Sequence, residues 1–307
     1  MNINKSLLIT IAGPTAVGKT SLSIQLAKEL NTSIFSCDSR QFYREISIGT
    51  AKPSKKELND VKHYFINNKS IYNIYSAGDY ENEIINDLEQ FFKQKEIALL
   101  VGGSGMYINA VIKGLDDLPK DINIREALNK RFKKYGILVL QNELKKLDPL
   151  HYKNIDIHNP QRIIRAIEVC LITKKPYSSF LSNSTKKRSF SNLKFLLFLD
   201  NEILYNNINL RVDNMIKDGL IEEVESFKNM SNLNAFNTVG YKEIFNYLNG
   251  KIDKKSAIEQ IKTNTKKYAK RQMTWFKKDP SYQWIKNTDI ENSKKSILKK
   301  IKEFKYD

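Results

Sequence analysis

A chain of 307 residues with 41% hydrophobic and 10% aromatic side chains can bury a real core, as one large domain or two, and is no disordered polyelectrolyte. Its formal charge of +17, from 51 Lys and Arg against 34 Asp and Glu, suggests a polyanionic partner, although a general richness in Lys, Asn and Ile feeds that excess. No apolar run approaches a membrane span, the first strand follows Met1 too closely for a signal segment, and Cys37 and Cys170 form no Cys-x-x-Cys pair, which argues against a zinc module or disulfide framework and favours the cytoplasm.

Leu7-Leu8-Ile9-Thr10-Ile11-Ala12 reads as a strand. It runs into Gly13-Pro14-Thr15-Ala16-Val17-Gly18-Lys19-Thr20, after which Leu22, Ile24, Leu26, Ala27 and Leu30 carry a helical period. Strand, glycine-rich turn and helix are the context in which Gly-x4-Gly-Lys-Thr cradles phosphate. The glycines let backbone N–H groups close around phosphate oxygens, and the helix start adds its own N–H groups and dipole. Lys19 brings a mobile positive charge, and the Thr20 hydroxyl can hold Mg2+. The loop predicts a diphosphate or triphosphate ligand without saying which.

Thr32 to Cys37 reads as a second short strand, ending in Asp38-Ser39-Arg40-Gln41. Gly49-Thr50-Ala51-Lys52-Pro53 is a loop with one basic side chain, and Lys62 to Ile66 fits a further strand. Asn68 to Gly78 is polar and turn-rich, and Asp79-Tyr80 starts an amphipathic helix through Ile84, Ile85, Leu88, Phe91 and Phe92. Ile97 to Val101, wholly apolar, fits a strand covered on both faces. It breaks into Gly102-Gly103-Ser104-Gly105-Met106-Tyr107, a second tight loop where ligands sit in open parallel sheets. The predicted core is therefore α/β, a P-loop-type parallel sheet flanked by helices.

From about Asp121 to Phe180 the character is helical. Ile124 to Tyr135 is one helix, and Gly136 to Leu140 fits either an extended piece or the entry to the next. Asn159-Pro160 is an N-cap with proline at the first helical position, opening a helix through Ile163, Ile164, Ile167 and Leu171 with Arg162 and Arg165 on one face. Lys194 to Leu199 returns to an apolar strand, so 121–180 reads as a helical insertion in a core of 1–120 plus 181–307. Leu204 to Phe227 is helical with a break at Gly219. Residues 251–278 form a basic helical stretch with ten Lys or Arg against two acids, ending Lys270-Arg271-Gln272-Met273-Thr274-Trp275-Phe276. Trp275 and Phe276 fit core anchors as well as a base-stacking surface. The tail after Pro280 reads as charged and peripheral.

A standard NTPase needs an acid at a strand end to help hold Mg2+, but the strand ending at Val101 gives way to glycines, leaving Asp38 and Asp200. A nucleotide kinase with a helical lid, and an RNA-binding protein with a relic P-loop, stay open on these residues alone. The ordered series extends further. It comprises Gly13–Thr20, Asp38-Ser39-Arg40-Gln41-Phe42-Tyr43, Ile48-Gly49-Thr50-Ala51-Lys52-Pro53, Tyr75-Ser76-Ala77-Gly78-Asp79-Tyr80, Val101 to Tyr107, Asn159 to Ala166, Val239-Gly240-Tyr241 and Lys270 to Trp275. In this series the chain resembles the tRNA dimethylallyltransferases, also called tRNA isopentenyltransferases, from about Leu7 to Lys278.

The resemblance implies an Mg2+-dependent enzyme, expected to work as a monomer, that binds dimethylallyl diphosphate and a tRNA anticodon stem-loop. It would transfer the dimethylallyl group to N6 of the adenosine on the 3′ side of the anticodon. By the same resemblance, Gly13 to Thr20 hold the diphosphate and metal, Asp38 is the base and touches the target adenosine, and Ser39, Arg40 and Gln41 complete a tRNA-contact loop. Ser104 stands where threonine is usual, Arg211 lies near the leaving diphosphate, and Arg125, Gln161, Arg162, Ile163, Ile164, Arg165, Lys270, Arg271 and Gln272 contact tRNA. The departures are Lys62-His63 for a paired histidine, Asn201 for an arginine after Asp200, and the lack of glycine in Thr173-Lys174-Lys175.

Overall fold

Strand β1 (Leu7–Ala12) is buried at every residue, because it has strands on both edges and helices on both faces. In this computed structural model, which describes residues 6–181 and 185–306, it lies inside the first of two compact units, Met1–Lys113 with Lys187–Asp307. After β1 come α1 (Lys19–Glu29), β2 (Ile34–Ser36), α2 (Lys55–Asp60), β3 (His63–Tyr64), α3 (Ala77–Phe91), β4 (Ile97–Gly102) and α4 (Gly105–Ile112). Helix α3 starts earlier than its apolar period suggests. Ser76 caps it by accepting the Asp79 N–H, and the Asp79 carboxylate accepts the Ser76 N–H in return, so Asp79 occupies the third helical position.

The second unit, Gly114–Lys186, is helical: α5 (Ile122–Tyr135), α6 (Ile137–Leu147), α7 (Pro149–Asn154) and α8 (Pro160–Thr173). The stretch open to two readings, Gly136 to Leu140, enters helix α6. Leu128, Leu140, Leu144, Ile163, Ile164 and Ile167 form its core. Lys174 takes φ +58° as the C-cap of α8, a left-handed position that glycine fills without strain. That accounts for the glycine expected within 173–175.

The chain then returns to the first unit with β5 (Ser191–Phe198), α9 (Asn201–Lys217), α10 (Leu220–Glu225), α11 (Tyr241–Leu248), α12 (Lys254–Phe276), β6 (Gln283–Lys286) and α13 (Ile290–Tyr306). The finished sheet has six strands in the order β3-β2-β4-β1-β5-β6, every pair parallel. Alternation sends Leu7, Ile9 and Ile11 to one face with Phe195 and Leu197, and Leu8 and Ala12 to the other with Leu100 and Leu196. The tail after Pro280 is not peripheral. Strand β6 extends the sheet beside β5, α13 packs on α1, and Ile285, Ile297 and Ile301 sit in the same core cluster as Leu22 and Leu26. No helix among the described residues is long and apolar enough to cross a membrane.

Candidate active site

The loop between β1 and α1 is shaped by backbone demands. Gly18 takes φ +92° at the N-cap of α1, and a Cβ there would lie 2.6 Å from the Asn287 amide nitrogen. Asn287, at the end of β6, donates to the Val17 carbonyl at 2.8 Å, so the misread tail is a brace for this loop. No side chain caps the first turn of α1. Lys19 donates to the carbonyl oxygens of Gly13 (2.9 Å) and Pro14 (2.7 Å), and Asn207 of α9 reaches the Ala16 carbonyl. Val17 points into the core, which leaves Thr15, Ala16, Gly18, Lys19 and Thr20 to line a cavity of about 810 Å³.

Asp38, Gln41, Arg211, Tyr268 and Gln272 line the same cavity. Asp38 follows β2 at the carboxyl end of the sheet, and its carboxylate accepts the Arg40 N–H at 2.9 Å, which fixes its direction. Arg211 of α9 is depressed by burial and pulled back up by Asp38. Burial, reinforced by Arg211, brings the Lys19 pKa from 10.5 down to about 8, against the opposing pull of Asp38 and Cys37. Two cations and one carboxylate thus converge on one desolvated space, a grouping characteristic of functional sites.

A second chamber, of about 430 Å³, shares Thr15, Asp38, Arg211 and Tyr268 with the first and adds Ser39, Arg40 and Arg271. Ser104 joins this corner by accepting the Ser39 N–H at 3.3 Å, and its hydroxyl is also hydrogen-bonded to that of Tyr268. Burial and the nearby Asp38 push the Tyr268 hydroxyl up to about 12, so it stays neutral. Tyr268 escaped the sequence reading, which took that stretch as a basic helix with its aromatics at the end, Trp275 and Phe276. The signal was there: Asn264, Tyr268 and Gln272 recur every four residues on one face of α12.

Several of the other residues expected at the site are engaged by the protein itself. Arg40 donates to the carbonyl oxygens of Asn234 and Asn237, and Gln41 to those of Thr50 and Ala51. Gln272 accepts from Thr15 and donates to Gly103. Lys270 and Arg271 line a groove on α12 with Lys267 and Thr274, beside Trp275, which is 40% exposed, whereas Phe276 is buried. In the helical unit, Arg125 and Arg165 both pair with Glu168, whose side chain is 1% exposed, and Arg165 also holds the carbonyls of Leu118 and Pro119. Ile163 and Ile164 are core residues, so neither side chain is presented to a ligand, while Gln161 and Arg162 are exposed on the first turn of α8.

Residues 41–279 match the family described as IPP transferase. The tRNA dimethylallyltransferase of Christiangramia forsetii is 50% identical over 288 residues, spanning 94% of this chain and 95% of that protein. The crystal structure of the full-length tRNA isopentenylpyrophosphate transferase of Bacillus halodurans is 34% identical, with a TM-score of 0.71 over 96% of this chain and 95% of that one. A eukaryotic dimethylallyltransferase, crystallised in a study of its action on tRNA, aligns with a TM-score of 0.76 and 25% identity over 93% of this chain and 75% of that one.

Proposed function

The chain belongs to the IPP transferase family, and on that premise we propose that it transfers the dimethylallyl group of dimethylallyl diphosphate to N6 of the adenosine on the 3′ side of a tRNA anticodon, releasing diphosphate. The observation that carries this reading is the meeting of Lys19, Asp38 and Arg211 on one cavity at the carboxyl end of a parallel sheet.

Backbone N–H groups of the Gly13 to Thr20 loop other than Thr15, whose N–H is held by Gln272, join the Lys19 ammonium and the Arg211 guanidinium in holding the donor's diphosphate. They also stabilise the charge that gathers on it as the allylic C–O bond breaks. The N6–C bond forms as that bond breaks, and the proton that N6 loses passes to the Asp38 carboxylate. An exocyclic amine is a weak acid until its nitrogen begins to bond, so the base acts late, when the proton's acidity has risen along the reaction and a carboxylate can accept it. Ser104, linked to Ser39 and Tyr268, keeps a hydroxyl beside the acceptor chamber.

No cluster of three or more His, Cys, Asp or Glu suited to a metal occurs among the described residues. A divalent ion here would take most of its ligands from water and the diphosphate. Thr20, with Asp38 near it, fits the role Mg2+ needs from the protein, and the ion supplies charge neutralisation on the leaving group. The helical unit, through Gln161 and Arg162, and the α12 groove with Lys270 and Arg271 are assigned to the anticodon stem-loop; Ser39 and Arg40 shape the chamber that receives the adenine. The adenosine must leave its stack to enter that chamber. Two buried free cysteines fit a reducing compartment, the cytoplasm.

Incubating the protein with labelled dimethylallyl diphosphate, Mg2+ and unmodified tRNA, followed by digestion to nucleosides, tests the assignment. Label in an N6-substituted adenosine is the expected result. No label in tRNA, together with ATP-dependent phosphorylation of a small acceptor, would replace the transferase with a kinase.

A further inference from the structure

Gln272 is 7% exposed, and its side-chain amide ties two loops together. Its Oε1 accepts the N–H of Thr15, inside the phosphate-binding loop, at 2.9 Å. Its Nε2 donates to the carbonyl of Gly103, in the loop after β4, also at 2.9 Å. Gly103 makes room for this contact, since a Cβ there would lie 2.2 Å from Nε2. The carboxamide supplies the acceptor and the donor that these two backbone contacts need, on separate atoms, whereas a carboxylate would supply no donor. One turn earlier on α12, Tyr268 is hydrogen-bonded to Ser104, the residue after Gly103.

From this geometry we infer that Gln272 is a positioning residue for the donor's phosphate loop and not a contact for the nucleic acid. Thr15 lines both chambers, so the direction of its peptide sets how the neighbouring N–H groups face an incoming diphosphate. Anchoring that peptide to Gly103 keeps the phosphate loop and the Gly103-Ser104 turn in register. The basic side chains before Gln272 in sequence, Lys270 and Arg271, line the outer groove, Arg271 reaching the second chamber as well, whereas Gln272 lines the first chamber, so nucleic-acid contact and loop positioning fall to different residues of one helix. The inference rests on the reading that the Gly13 to Thr20 loop holds the donor's diphosphate.

The test compares wild type with Gln272→Ala, Gln272→Glu and Gly103→Ala. The last displaces the amide without altering α12. Donor KM, tRNA dissociation constant and melting temperature are measured for each, and binding of inorganic diphosphate with Mg2+ is measured by calorimetry. Losing a buried hydrogen-bond pair at the loop raises donor KM and weakens diphosphate binding about tenfold in all three, with tRNA affinity held within about twofold. Weaker tRNA binding with unchanged donor KM in the Gln272 variants would overturn the inference, and so would a wild-type donor KM in Gly103→Ala. If Gln272→Ala does not fold, the near-isosteric Gln272→Glu carries the comparison. A wild type that binds diphosphate in a Gln272-dependent way yet transfers no label would fail the transferase reading and keep the clamp.

Discussion

Lys19 is the residue whose chemistry burial changes most usefully. A lysine at about pKa 8 is charged below that pH and neutral above it, so its attraction for diphosphate fades as pH rises through that value. Donor kcat/KM is therefore expected to hold level at neutral pH and fall above about pH 8, while Lys19→Met removes that fall and lowers kcat/KM by about 10²-fold. A wild-type profile that stays flat to roughly pH 9.5, well into the range where such a lysine has lost its proton, would contradict this. The residue types at this end of the site were legible in the sequence because the motif is contiguous. Tyr268 and Asn287 were not, because each acts through a fold-dependent contact with a residue more than a hundred and fifty positions away in sequence.

Among the elements, the loop of residues 47–53 lines the first chamber through Ser47, Ile48, Ala51, Lys52 and Pro53 and touches the second through Gly49 and Thr50, and one carboxylate gathers the N–H groups at its start. Glu223 of α10 accepts the N–H groups of Ser47 (2.8 Å), Ile48 (2.8 Å) and Gly49 (3.0 Å), and the Tyr241 hydroxyl as well. The Tyr241 ring lies so near Gly49 that a Cβ there would sit 2.5 Å from it. The Ile48-Gly49-Thr50 and Val239-Gly240-Tyr241 motifs are thus two sides of one contact. Glu223→Ala leaves these donors without their acceptor and is expected to destabilise the protein by about 2–3 kcal/mol in urea titration and to raise KM for both substrates. Unchanged stability and kinetics would show that the loop is held otherwise. Strands such as β1 and β4 were legible as unbroken apolar runs. Strand β6 was not, since four residues at a sheet edge with only Ile285 buried carry no period to read. Helix α13 hid its apolar face among lysines for the same practical reason: charge dominates its composition, while the core sees only the stripe through Ile297 and Ile301.

Across the whole molecule, the +17 excess predicts that tRNA binding is driven in large part by counterion release. The logarithm of tRNA affinity should fall linearly with the logarithm of salt concentration, by roughly 0.7–0.9 per phosphate contacted, and neutralising Lys270 or Arg271 should each flatten the slope by about one such contact. An affinity that does not change between about 50 and 200 mM salt would place the basic excess elsewhere in the protein's life. The central claim is chemical, however: the carboxylate held between the two chambers takes the proton from the adenosine. Single-turnover transfer of labelled dimethylallyl group to unmodified tRNA, with Mg2+ and both substrates saturating, isolates that step. Asp38→Ala is predicted to slow it by about 10²-fold or more while leaving the dissociation constant for tRNA close to that of wild type. A variant that transfers label at nearly the wild-type rate would remove Asp38 from the role of base and contradict the account.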